Sequence, residues 1–152
     1  MPSLTFLLRG GEMGAAIRAK DWIVTPLGPP ANWPDQLKIP LSLVLGSKQP
    51  MFVVWGRISQ LLLYNDAFAL LLQGKHPDAL GRPLRETFGE LGDQLIELLA
   101  GVFDGIAEYS EDSLFMLDRG RGPEEAHFAY SYTPIRNDTD AIVGLFLSLI
   151  HI

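Results

Sequence analysis

The chain has 152 residues, 47% of them hydrophobic and 20% charged, with 12 basic against 18 acidic side chains, a net charge of −6 and no cysteine. That is the size and composition of one globular domain able to bury a core unaided, while the acidic balance, with no basic stripe to overturn it, excludes a nucleic-acid backbone as partner. The missing cysteine rules out disulfides, thiolate metal sites, thiol nucleophiles and sulfur-linked cofactors and fits a reducing, cytoplasmic address; Leu4 to Leu8 is too short for a signal peptide, and no apolar run approaches the ~20 residues of a membrane-spanning helix.

Residues 11–21, GEMGAAIRAKD, are predicted as a short helix with Met13, Ile17 and Trp22 toward one side. After the turn-rich TPLGPPANWP, Pro34 at a first helical position and Asp35 behind it start a second helix, in which Leu37, Leu41, Val44 and Leu45 recur at helical spacing. Pro40 lies inside it, where the lost backbone hydrogen bond costs ~3 kcal/mol and predicts a kink. MFVVW (51–55) and LLLY (61–64), separated by Gly56-Arg57-Ile58-Ser59, read as two antiparallel strands. At Tyr64-Asn65-Asp66 the second strand must give way to a helix carrying Phe68, Leu71 and Leu72, with Asn65 or Asp66 accepting a backbone N–H as its cap.

HPDALG (76–81) is expected to form one helical turn ended by Gly81, and Pro83 to open a second through Phe88. Residues 90–104 place Leu91, Leu95, Leu98, Leu99, Val102 and Phe103 on one helical stripe that Gly105 ends. Strands follow: 108–118 and 124–133 flank the loop 119–123, Pro134 and Asn137 to Asp140 punctuate, and 141–151 is last. AIVGLFLSLI is apolar at nearly every position, so both faces of that strand are expected to be covered.

Two strands, small helices, one longer helix and three strands is the element order of a PAS domain, and the letters resemble it as well. Leu63-Tyr64-Asn65-Asp66-Ala67 is similar to that family's second strand and helix start, and His76 to Gly81 to its small-helix segment. Tyr132 to Asn137 with Ile142-Val143-Gly144 is similar to its last two strands, so the resemblance covers residues 51–151. The lead-in DWIVTPLGPPANWP resembles the start of PAS domains at the N-termini of bacterial sensor histidine kinases, hybrid kinases among them.

The resemblance implies an α+β fold. Small helices occupy one face of a five-stranded antiparallel sheet and N-terminal helices the other; residues 1–50 are the lead-in cap and 51–152 the PAS core. It also implies a signal-sensing input domain that is not itself an enzyme, since no histidine phospho-acceptor helix or ATP lid occurs through Ile152. The family's flavin photosensors need a cysteine in the helical cluster, which excludes a flavin–cysteine adduct here, and its haem-binding members commonly use a histidine on the longer helix, where residues 90–104 have none. The cofactor stays unassigned.

In PAS domains a ligand lies between the longer helix and the inner face of the sheet. Alternation in AHFAYSYTP puts Phe128, Tyr130 and Tyr132 on one face, and the family register turns it inward. The same register adds Leu114, Met116, Gly144 and Phe146 to a candidate pocket in which two tyrosine hydroxyls would orient a small ligand. Aromatic and methionine side chains at this spacing also serve as plain core filling.

His76, His127 and His151 are too scattered for a metal motif. Glu111-Asp112 and Glu124-Glu125 are neighbours on strands and face opposite ways, so neither pair is a catalytic dyad. No GxSxG, GxxxxGK[ST] or HExxH occurs, and neither catalytic residues nor a metal site are expected. The reading is an input domain that relays a bound small molecule or a partner's conformation to a histidine kinase output in the same or a larger chain, as a homodimer joined through its N-terminal helices and sheet. Its rivals are a ligand-free dimerisation module with a solid core, and a small enzyme with Asp112 or Asp118 turned inward.

Overall fold

The computed structural model describes residues 10–72, 78–88, 99–106, 108–118 and 122–151. Its elements are α1 (Gly11–Ala19), a 3-10 turn (Pro30–Asn32), α2 (Asp35–Gly46), β1 (Met51–Trp55), β2 (Leu61–Tyr64), α3 (Asp66–Leu72), α4 (Leu84–Phe88), β3 (Glu108–Asp118), β4 (Pro123–Arg136) and β5 (Ile142–His151). All five strands form one antiparallel sheet in the order β2-β1-β5-β4-β3. The first hairpin therefore closes against the end of the C-terminal meander, and β5 lies at the centre.

Several boundaries differ from the sequence expectation for local reasons. Pro34 is the N-cap, with extended backbone, and Asp35 begins α2. That helix runs on through Pro40, its lost hydrogen bond offset by four buried aliphatic side chains, Leu37, Leu41, Val44 and Leu45. Residues 78–81 are a turn rather than a helical turn, and Gly81 supplies the positive φ of +76° it needs. Of the predicted helix over 90–104, residues 99–103 are helical and 89–98 lie outside the described residues.

β4 does not stop at Pro134 but carries it in register with Leu145. Because β3 begins opposite Tyr132, β4 is an edge strand on that side from there on, and a missing N–H breaks no ladder.

One hydrophobic cluster runs from Met13 to Leu149 and joins the lead-in to the sheet. On β1 and β2, Phe52, Val54, Leu62 and Tyr64 share one face and Val53, Leu61 and Leu63 the other, and all are buried. Phe52 and Tyr64 pack on Phe68 of α3 with tilted rings, their centroids 4.8 and 5.8 Å away. That face is therefore the inner one, and α2, which also lies against β1 and β2, covers the other. Coverage of both faces is complete there and partial further along: on β5, Leu145, Leu147 and Leu149 are buried, whereas Phe146 and Ser148 behind them are half-buried.

Candidate functional site

The strand-to-helix junction at Tyr64-Asn65-Asp66 holds more than its own helix. Asn65 is 1% exposed. Its Oδ1 accepts the N–H of Phe68 at 3.0 Å, the α3 cap expected from sequence, and also that of Met51 at 3.2 Å. Its Nδ2 donates to the carbonyls of Gln49 at 2.7 Å and Val44 at 3.0 Å. One amide thus satisfies orphan groups at the end of α2, the start of β1 and the start of α3. Asp66 does a different job: it accepts the N–H groups of Glu12 at 3.2 Å and Met13 at 2.7 Å, capping α1 from more than fifty residues away. Spacing along a sequence has no signal for a cap contributed across the fold.

Beside this joint stands the inner aromatic wall. Tyr132 pairs with Leu147 and Tyr130 with Leu149, and Leu147 in turn pairs with Phe52. Phe128, Tyr130 and Tyr132 consequently share the face of Phe52 and Tyr64, with Leu147 of β5 between Tyr132 and Phe52. Phe128 and Tyr132 are buried and Tyr130 half-buried, and the two tyrosine rings meet edge-on at 4.9 Å. Phe52, Tyr64 and Phe68 were not anticipated in this wall; their alternation within strand and helix start was legible, but which face turned inward was not.

The other pocket candidates fall elsewhere. Gly144 pairs with Ile135 and with Trp55, and Phe146 with Thr133, which sets both on the outer face. Leu114 pairs with His127 and is 51% exposed. Met116 takes register with Glu125, and its side chain lies outside the described residues. Two one-residue irregularities account for the difference, one in β3 between Ser110 and Ser113 and one between Ile135 and Arg136. Each inserts a single residue into a ladder and so exchanges the two faces of everything beyond it. Gly144 has its own reason to be glycine: an added Cβ would stand 2.8 Å from the Val54 carbonyl oxygen and 2.9 Å from the Trp55 ring.

Burial, followed by the negative charge of Asp78, raises the Tyr64 phenol well above its ordinary value of 10.0. The folded state thus binds this proton more tightly than the unfolded chain. The contribution to stability is complete below about pH 10 and is lost as pH rises from there toward the folded value. Alkaline titration followed by phenolate absorbance should show Tyr64 ionising only with unfolding, and Tyr64→Phe should remove its share of that coupling. An early, reversible ionisation of all four tyrosines would contradict the assignment.

Asp78 also lines a shallow cleft with Ala79, Arg82, Glu86 and Thr87. Among the described residues no group of three or more histidine, aspartate or glutamate side chains is gathered for a metal. His127 is exposed on the outer face. His76 and the side chains of His151, Asp112 and Asp118 lie outside the described residues, and no described helix is long and apolar enough to cross a membrane.

No family model and no curated relative matches the sequence. Solved structures do. The PAS domain of BvgS from Bordetella pertussis superposes with a TM-score of 0.62 at 23% identity, over 78% of this chain and 88% of that one. A sensory box sensor histidine kinase from Vibrio cholerae gives 0.52 at 15% identity, over 78% and 91%. The LOV protein of Rhodobacter sphaeroides gives 0.56 at 15% identity, over 78% and 67%. With the strand order and the inner helices described above, these likenesses establish that the chain has the PAS fold.

Proposed function

We propose that this chain is the non-enzymatic input domain of a bacterial two-component sensor, working on the cytoplasmic side and relaying a bound small molecule or a partner's conformation to a histidine kinase output. The observation that carries this reading is the Asn65 joint. It ties the end of α2, the start of β1 and the start of α3 together directly beside the wall formed by Tyr64 and Phe68. A ligand that favours one arrangement of that wall shifts the lead-in helices by its differential affinity for the two arrangements. Ile39 and Leu43, one turn apart on α2 and 63% and 65% exposed, supply apolar surface for pairing with a second copy.

The ligand-free module is the second reading, favoured by Phe128 and Tyr132 being 3% and 1% exposed under protein atoms alone. A thermal-shift screen of the whole chain against metabolites, beside an absorbance spectrum, separates the two. On the sensing reading, one compound class at ~100 times its Kd adds about 2.7 kcal/mol of stability, a rise of roughly 5–10 °C at this chain length. Tyr130→Phe should diminish that rise. No shift with any compound, and no chromophore band, would leave the packed module.

A further inference from the structure

Both ends of α1 are anchored to segments that follow β2. At the N-terminal end, Asp66, the first residue of α3, accepts the Glu12 and Met13 N–H groups. The approach depends on Gly10 and Gly11, with φ of +99° and +61°. A Cβ on Gly11 would collide with the Asp66 carboxylate, and one on Gly10 would stand 2.7 Å from Leu45. At the C-terminal end, the Trp22 indole donates to the Ile17 carbonyl at 2.8 Å, so the ring is an extension of the helix. Trp22 meets Trp33 edge-on at 5.0 Å and is seated on Gly81, where a Cβ would come within 2.7 and 2.9 Å of its ring. Gly81 is itself bound to the sheet, its N–H donating to the Leu62 carbonyl at 2.8 Å.

A nine-residue helix is too short to persist in water by itself. α1 therefore depends on its tertiary contacts, the burial of Met13 and Ile17 together with the two anchors, and the anchors belong to the beginning of α3 and the turn before α4. We infer that α1 with Trp22 is a strap that reads the spacing between Asp66 and Gly81: a shift of the small helices that breaks one anchor releases the other, and α1 unfolds as a unit. The strap's use in signalling rests on the function proposed above; its mechanical coupling does not.

The test is native-state hydrogen exchange on the whole chain. Ala15→Pro breaks α1 at an exposed position without touching Asp66 or Trp22, and Asp66→Ala removes the first anchor. Asp66→Ala should speed exchange of the amides at 12–19 by about tenfold, the usual scale of losing a cap, and Ala15→Pro by about a hundredfold, the scale of a proline inside a helix. In the same experiment the Gly81 and Leu62 amides, at the far anchor, should speed up too. The Val53 and Val54 amides should not change, and Asp66→Asn, which keeps one of the two accepting oxygens, should restore part of the protection. Faster exchange at 12–19 with Gly81 and Leu62 unchanged would overturn the strap. The measurement needs neither ligand nor output: coupled exchange with an empty ligand screen keeps the strap and removes the sensing reading, and uncoupled exchange with a found ligand does the reverse.

Discussion

Asn65→Ala should cost about 3–4 kcal/mol of folding stability, because it orphans buried partners at three element ends in one step. The N–H groups of Met51 and Phe68 lose their acceptor and the Gln49 carbonyl its donor, while the Val44 carbonyl is left with the Ser47 N–H at 3.2 Å. In thermal unfolding this is a fall of roughly 10 °C for a domain of this size. A fall of under ~1 kcal/mol would mean that water replaces the amide and the joint is not closed. Asn65→Asp is the sharper probe: it keeps the acceptor and faces a carboxylate toward the same two carbonyls. That environment favours the protonated acid and raises its pKa. The native variant then binds a proton that the unfolded chain has released, so its stability should fall as pH rises from about 4 toward neutrality. Equal damage at acid and neutral pH would argue against the donor role of the amide.

Leu41→Ala should cost about 2–5 kcal/mol, the range for a buried leucine that leaves a cavity. Leu43→Ala, two residues on, should stay within ~0.5 kcal/mol. Leu41 is 0% and Leu43 65% exposed on the same helix. The contrast tests whether α2 is part of the core or a detachable appendage, since Leu41 belongs to the cluster that also contains Val53 and Leu63. Chemical denaturation with an unchanged m value for both variants gives a clean comparison. If Leu41→Ala were as mild as Leu43→Ala, the lead-in would not seal the outer face, and the route from the aromatic wall to α2 would lose its physical basis.

Much of the fold was legible because short-range rules decide it. Short apolar runs on either side of Gly56 to Ser59 marked β1 and β2 at their observed bounds, helical spacing of Leu37, Leu41, Val44 and Leu45 marked the buried side of α2, and a cap of α3 by Asn65 or Asp66 followed from residue type and position, the structure assigning it to Asn65. The candidate site was legible in half. Phe128, Tyr130 and Tyr132 share a face because they are neighbours in one unbroken stretch of strand. Leu114, Gly144 and Phe146 were set against them through two ladders, and an inserted residue in each ladder exchanged the faces.

The residue order by itself determined an acidic chain without thiol chemistry, five strands and their helices, and a polar junction after LLLY, because composition, alternation and capping act over a few neighbouring residues. Only the tertiary structure decided which side chains look inward, that Asp66 caps a helix 53 residues before it, and that Gly81 seats Trp22. Those outcomes depend on strand register and on contacts between distant segments, where a shift of one residue reverses a face and leaves the local pattern unchanged.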